Sequence, residues 1–324
     1  MNLFSNKRVW IVTDGKAGHL NQCLGLADAL GASPEIKQVT PGALRKALPG
    51  PLWPSPLKTI DTSSAPPWPN LVIAAGRLTA APVLAIRRAA GGVTFCVQIQ
   101  DPIYGRARID LIAAPAHDRL SGPNVVETSG ALNQITPERC AAEAKKFQAT
   151  LSYLPRPLVA VLIGGTSDQY RMTGPNIEAL VSNLKSVCAD GAGLAVTMSR
   201  RTGSENEEAI RSGLADLPAW IWDGTGQNPY LAFLGLADAI VVTEDSVSML
   251  SEACSTGKPV FLASLDGGSE KFGRFHTLLR DRGMIRPFAG KHDSWSYRPL
   301  ADTANVAQQV ERRYTAFASD RAPS

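Results

Sequence analysis

Short apolar runs, each closed by a glycine or polar turn and followed by a stretch of helical spacing, set the rhythm of this chain. Val9-Trp10-Ile11-Val12-Thr13 is apolar almost throughout, as expected of a strand buried on both faces. It runs into Asp14-Gly15-Lys16-Ala17-Gly18-His19, and residues 20–30 then follow with apolar positions at helical spacing. This strand, glycine loop and helix open a doubly wound unit. Further strands are predicted at 71–75, 94–99, 111–114 and 124–127, with helices over about 78–90 and 137–150. Residues 48–69, rich in Pro, Ser and Trp, read as a loop.

Pro155-Arg156-Pro157 is the expected boundary, because prolines stop helices and stiffen linkers. The pattern then restarts. Leu158-Val159-Ala160-Val161-Leu162-Ile163 reads as a strand, Gly164-Gly165-Thr166 as a loop and 175–189 as a helix. Strands at 194–198, 219–222, 239–243 and 259–263 alternate with helices at about 204–213, 246–255, 270–282 and 302–317. No period of 20–50 residues repeats, which excludes a solenoid. The expected organisation is residues 1–155, residues 156–300, and a C-terminal helix and tail over 301–324. Ligands of doubly wound sheets sit beyond the carboxyl ends of the strands, and every chemically suggestive motif lies at such an end.

Composition narrows the class. The 324 residues are 44% hydrophobic and 19% charged, which is globular rather than disordered. Five dispersed cysteines lack C-x-x-C or Cys/His ligand spacing, so neither a disulfide scaffold nor a metal site is expected. No apolar run is long enough to span a bilayer, and residues 1–8 lack a signal-peptide core. The net charge of +4 is uneven: residues 1–155 carry +6 and residues 156–324 carry −2. A basic first half suits a phosphorylated acceptor or an anionic membrane face, or is an ordinary solvated surface. The basic residues are scattered and form no nucleic-acid module.

Four stretches carry candidate chemistry. After the 239–243 strand, Glu244-Asp245-Ser246-Val247-Ser248 leads into a helix, with Asp245 or Ser246 as its cap. Free N–H groups and the helix dipole suit a phosphate there, Ser246 and Ser248 add hydroxyls, and Glu252 stands ready to accept from sugar hydroxyls. Gly164-Gly165-Thr166 permits close backbone approach to a ligand, or is simply a turn. Ser199-Arg200-Arg201-Thr202 offers phosphate-pairing guanidiniums, or exposed arginines. Asp14 to His19 supplies an acid, a cation and a histidine able to act as a general base. That loop is neither G-x-x-x-x-G-K-[ST] nor G-x-G-x-x-G, which counts against a dinucleotide site.

Together these motifs resemble the GT-B glycosyltransferases, which use nucleotide-sugar donors and have two doubly wound, Rossmann-like domains facing a cleft. Gly18-His19 looks like the acceptor-side loop of the lipid-linked peptidoglycan glycosyltransferases. Gly164-Gly165-Thr166 looks like their donor-phosphate loop, and Glu252 matches their ribose-binding position. The loop after Gly165, Thr166-Ser167-Asp168-Gln169-Tyr170-Arg171, departs from their pattern. A closer resemblance, over nearly the whole chain, is to the mitochondrial-fission (elongated-mitochondria) family. It rests on Asp14 to Gln22, Ser199 to Thr202, Asn228-Pro229-Tyr230, Thr243 to Met249, Ser251-Glu252-Ala253, Lys271-Phe272, Phe275-His276 and Arg286-Pro287-Phe288.

The resemblance implies a metal-independent, inverting transferase acting on an envelope- or lipid-linked acceptor. His19 or Asp14 would be the base, with Gly15, Lys16, Gly18, Asn21 and Gln22 forming the acceptor-side loop. The donor would lie on Gly164, Gly165, Thr166, Ser199, Arg200, Arg201, Ser246, Ser248 and Glu252, with Asn228 and Tyr230 near the base. No tightly bound cofactor or metal is implied; the nucleotide sugar is a co-substrate, and no nucleic acid takes part. The expected location is the cytoplasm, with peripheral contact at the inner membrane. The alternatives are a non-catalytic fission-type recruitment protein on the same scaffold and a nicotinamide-dependent nucleoside-diphosphate-sugar epimerase.

Overall fold

The computed structural model describes residues 3–42, 45, 48–61 and 65–321. The chain divides into two compact units, Met1–Gln134 with Ala301–Ser324, and Ile135–Leu300.

The first unit is built on strands β1 (Val9–Thr13), β2 (Glu35–Gln38), β3 (Leu71–Ala75), β4 (Phe95–Ile99), β5 (Leu111–Pro115) and β6 (Val125–Thr128). They form one parallel sheet in the order β2-β1-β3-β4-β5-β6. Every residue of β1, β3, β4 and β5 is buried, because helices cover both faces of a doubly wound sheet. Helices α1 (Ala17–Ala29) and α2 (Ala80–Ala89) follow β1 and β3. The strand order reverses between β1 and β3, and such a switch point opens a crevice at the carboxyl ends of the strands.

One expectation is extended here and one corrected. The stretch 48–69 is a loop, as expected, and it also contributes to the core. It makes two short 3-10 turns, Gly50–Leu52 and Pro56–Thr59, and buries Trp53 and Ile60 beside Trp10; residues 62–64 lie outside the described residues. The C-terminal segment also belongs to the first unit. Asp302 accepts the backbone N–H groups of Ser129 (3.1 Å) and Gly130 (2.9 Å). Tyr314 then packs edge-on against Phe4 and Phe95, so the last helix completes this core.

The second unit begins with α3 (Pro137–Leu151), capped by Thr136, whose hydroxyl accepts the Arg139 N–H at 3.2 Å. The expected boundary at residue 155 therefore lies earlier, before α3, which packs on α6 (Tyr230–Leu236). Its sheet joins β7 (Leu158–Ile163), β9 (Gly193–Met198), β10 (Ala219–Ile221), β11 (Ala239–Thr243), β12 (Val260–Ala263) and β14 (Ile285–Pro287), all parallel, in the order β10-β9-β7-β11-β12-β14. Helices α4 (Gly174–Ala189), α5 (Ser204–Leu214), α7 (Val247–Ser255) and α8 (Glu270–Asp281) complete the layers. The departing loop after Gly165 carries β8 (Tyr170–Arg171), which pairs antiparallel with β13 (Asp266–Gly267). This sheet switches direction between β7 and β11. No helix among the described residues is long and apolar enough to cross a membrane.

Candidate functional site

At the switch point of the first unit, the Asp14 carboxylate is 3% exposed and lies 2.9 Å from His19 Nδ1. The chain arranges this locally. The Gly15 N–H donates to Thr13 Oγ1 (3.2 Å) and the Lys16 N–H to Asp14 Oδ1 (3.3 Å), folding the loop back over the end of β1. His19, in the first turn of α1, packs on Gly76 just after β3. Gly76 has φ +81°, and a Cβ there would sit 2.5 Å from His19 Cε1, so glycine is needed for both conformation and space. In the tautomer with its proton on Nδ1, His19 donates to Asp14 and keeps the Nε2 lone pair free, the arrangement a general base requires.

The other acceptor-side residues divide. Gly15, Lys16, Gly18 and Asn21 are exposed. Gln22 is buried and donates from its amide to the Gly18 carbonyl (3.2 Å), which fixes the helix start.

At the switch point of the second unit, loops from three strands converge on one carboxylate. Asp245, just past β11, has a side chain with 0% exposure. Its Oδ1 accepts from Thr243 Oγ1 (2.7 Å), and its Oδ2 accepts from the Gly165 N–H (3.1 Å) and pairs with Arg201 Nη2 (2.7 Å). The Gly164 N–H donates to Thr243 Oγ1 at 2.7 Å, and the Gly164 carbonyl accepts from Ser199 and Thr202 hydroxyls. A Cβ on Gly164 would lie 2.2 Å from Asp245 Oδ1, and one on Gly165 2.1 Å from the Arg201 carbonyl. The two glycines thus admit a buried acid and a neighbouring loop.

This assembly joins Gly164, Gly165, Thr166, Ser199 and Arg201, all picked out in the sequence, but assigns them partners within the protein. The Thr166 N–H donates to the Arg201 carbonyl (3.1 Å), and Thr166 Oγ1 accepts from Met172 (3.2 Å). Arg200 is exposed. In the sequence Asp245 stands out only as a candidate cap. Ser246 is the cap, accepting the Met249 N–H at 3.3 Å, and Ser248 lies half-buried in the first turn of α7. What marks Asp245 in the sequence is a carboxylate two residues beyond a buried strand.

Further along α7, Glu252 accepts from the Tyr230 hydroxyl at 2.5 Å. Tyr230, expected beside a base, opens α6 after Asn228, whose side chain accepts the Tyr230 N–H at 2.9 Å. Burial pushes the Glu252 carboxyl up to about 7, against the hydrogen bond from Tyr230 that favours its charge. Burial also raises Tyr230 well above its ordinary value, and the adjacent Glu252 adds to the shift. Beside this region, Glu244 accepts the Leu265 N–H at 2.6 Å, and burial raises its carboxyl. His276 is buried against Phe272 and Phe275, and burial lowers it to about 4. Among the described residues, no group of three or more His, Cys, Asp or Glu could hold a metal ion.

Two doubly wound units of this kind define the GT-B fold, and solved structures share it at low identity. Acinetobacter baumannii MurG matches with a TM-score of 0.51 and 14% identity, over 97% of this chain and 94% of that one. The glycosyltransferase SnogD from Streptomyces nogalater matches at 0.51 and 15%, over 96% of both chains. The Methanocaldococcus jannaschii UDP-GlcNAc 2-epimerase, solved with UDP-GlcNAc and UDP, matches at 0.52 and 11%, over 94% and 99%.

The chain belongs to the Mitochondrial fission ELM1 family, whose model matches residues 17–314. It is 36% identical over 275 residues to the Mitochondrial fission protein ELM1 of Arabidopsis thaliana. That match covers 76% of this chain and 64% of the plant protein, so the chain spans less than two thirds of that relative. A second relative, the uncharacterized protein RP120 of Rickettsia prowazekii (strain Madrid E), is 26% identical over 351 residues, covering 94% of this chain and 97% of its own length.

Proposed function

We propose that the protein is a metal-independent, inverting GT-B glycosyltransferase that moves a sugar from a nucleotide-sugar donor to a hydroxyl of an envelope- or lipid-linked acceptor. The observation that carries this reading is the Asp14–His19 pair, a buried carboxylate on one imidazole nitrogen of a half-buried histidine. In this scheme His19 Nε2 takes the acceptor hydroxyl proton as that oxygen bonds to the anomeric carbon. The bond from that carbon to the diphosphate oxygen breaks, and the nucleoside diphosphate leaves with the electron pair. Asp14 stabilises the imidazolium that forms.

The donor is assigned to the second unit. Glu252 holds the ribose hydroxyls, and Asn228 and Tyr230 shape the region beside it. The diphosphate lies at the start of α7, on Ser246, Ser248 and the helix dipole, with Arg200 and Arg201 balancing the leaving charge. Asp245 already draws one guanidinium face of Arg201, which leaves the exposed Arg200 as the freer cation. The basic residues of the first half suit an acceptor at the inner membrane face. No tightly bound cofactor enters this scheme.

Release of free nucleoside diphosphate tests it, using purified protein, a panel of UDP-, GDP-, ADP- and dTDP-sugars, and a membrane lipid extract as acceptor source. Acceptor-dependent release that falls at least about a hundredfold in His19→Ala, the usual scale for a general base, is the expected result. Unchanged release in the variant overturns the assignment of the base.

The family name favours a second reading, a recruitment protein that keeps the scaffold without transfer. It predicts no turnover with any donor and no effect of His19→Ala on partner capture. Appearance of a new nucleotide sugar rather than free diphosphate would instead indicate epimerisation.

A further inference from the structure

Beside the edge strand β10, the second unit contains a groove of about 480 Å³ that the transfer scheme does not use. Its size falls in the ordinary range for small-ligand sites. One wall is β10 with the turn after it, and the other is α3. Trp220 and Trp222 stand two apart on extended backbone, and the Trp222 N–H continues the pairing with β9 through the Val196 carbonyl (2.9 Å). Their indoles therefore share one side of the strand. Phe147 and Thr150, three apart on α3, face the groove together.

The platform is held in place. Trp222 Nε1 donates to the Thr225 carbonyl (2.8 Å), and Arg211 Nη2 donates to the Trp222 carbonyl (2.8 Å). Trp220 packs edge-on against Phe233 with ring centroids 5.7 Å apart. Both rings nonetheless keep part of their surface exposed.

The polar rim decides the ligand class. Asp223 Oδ1 accepts the Thr225 N–H (2.8 Å) and hydroxyl (2.7 Å), which hold its carboxyl below the usual range and keep it ionised. Lys146 is engaged by Glu143 at 2.6 Å, and Gln227 donates to the other oxygen of Glu143 at 3.0 Å. The groove therefore offers two indole faces, an ionised acceptor and an oriented amide, while its lysine is already neutralised. A phosphorylated ligand would meet the Asp223 carboxylate, while the nearest cations, Lys146 and Arg211, already face Glu143 and Asp223. A neutral polyhydroxylated ring fits, since an indole's negative face attracts the electropositive C–H face of a pyranose and the rim accepts its hydroxyls.

We propose that this groove is a binding site for a neutral saccharide, with a pyranose stacked on Trp222 and its hydroxyls on Asp223 and Gln227. Neither Glu252 nor Tyr230 lines the groove, and its occupancy does not depend on sugar transfer. The test is titration of the full chain with chitotetraose, maltotetraose and cellotetraose, followed by tryptophan fluorescence and calorimetry. Saturable binding of at least one tetrasaccharide is expected. It should weaken at least about tenfold in Trp222→Ala, as for removal of an aromatic anchor, and less in Trp222→Phe. Asp223→Asn should weaken it by a smaller factor. Failure of all three saccharides to bind at millimolar concentration, binding that survives Trp222→Ala, or displacement of the saccharide by UMP each overturn the proposal; the last would assign the groove to a nucleobase. Because Glu252→Ala and His19→Ala do not enter the saccharide readout, loss of the transfer reading leaves this result interpretable.

Discussion

Asp245 has a side chain without solvent exposure, and two neutral donors and one guanidinium contact its carboxyl oxygens. Asp245→Ala leaves Thr243 and the Gly165 N–H short of a partner, while Arg201, 41% exposed, turns to water. The expected loss is roughly 2–3 kcal/mol in chemical denaturation, below the cost of stranding a fully buried ion because Arg201 remains solvated. Gly164→Ala drives a methyl into the same carboxylate and should cost about 1–3 kcal/mol. Glu252 adds a pH signature. Its folded-state value of about 7 lies above the ordinary 4.5, so the folded chain binds the extra proton between these limits. Its contribution to stability is fully present below about 4.5 and is lost as pH rises through 7. Glu252→Gln should therefore flatten that limb and raise stability at pH 8 by on the order of 1–2 kcal/mol, read as the difference between denaturation curves across pH. His276, lowered to about 4, acts oppositely, losing stability as pH falls from the ordinary 6.5 toward 4. At this scale the sequence displayed the acids and glycines but not their partners. Nothing in local spacing says that Asp245 meets Gly165, 80 residues away.

Among the elements, the strands legible in the sequence are the buried ones, because a strand covered on both faces must be apolar throughout. β1, β3 and β7 are of this kind. β2, Glu-Ile-Lys-Gln at the sheet edge, carries no such pattern and escapes notice. The Trp- and Pro-rich stretch after it reads as a loop, which does not reveal that Trp53 is buried in one cluster with Trp10. The last helix, α9 (Asp302–Ser319), is amphipathic in sequence, but its partner is set by the distant Phe4 and Phe95. Truncation after Leu300 should therefore expose the first unit's core, where Val306 and Val310 are fully buried. The expected result in calorimetry is loss or marked lowering of one unfolding transition with the second unit's transition retained. A uniform small shift of the whole profile would contradict that placement.

At the scale of the whole molecule, the uneven charge survives redrawing along the observed units. The first holds 16 basic against 11 acidic side chains and the second 17 against 18. The doubly wound architecture was readable because two strand–glycine loop–helix units recur along the chain. The domain limits were not, because α3 and α9 are assigned by packing between residues far apart in sequence. Each sheet places its candidate chemistry at its own switch point, Asp14 and His19 in the first, Asp245 and the Gly164-Gly165 loop in the second. In the proposed function the second unit binds a nucleotide sugar through α7. The most direct test is a calorimetric titration of the UDP-, GDP-, ADP-, dTDP- and CMP-sugar panel into the wild-type chain and Glu252→Ala. Saturable binding of one donor class is expected, with an affinity at least about tenfold lower in the variant, the equivalent of roughly 1.4 kcal/mol. Equal affinity in the two proteins, or no binding of any nucleotide sugar to the folded wild-type chain, would contradict it.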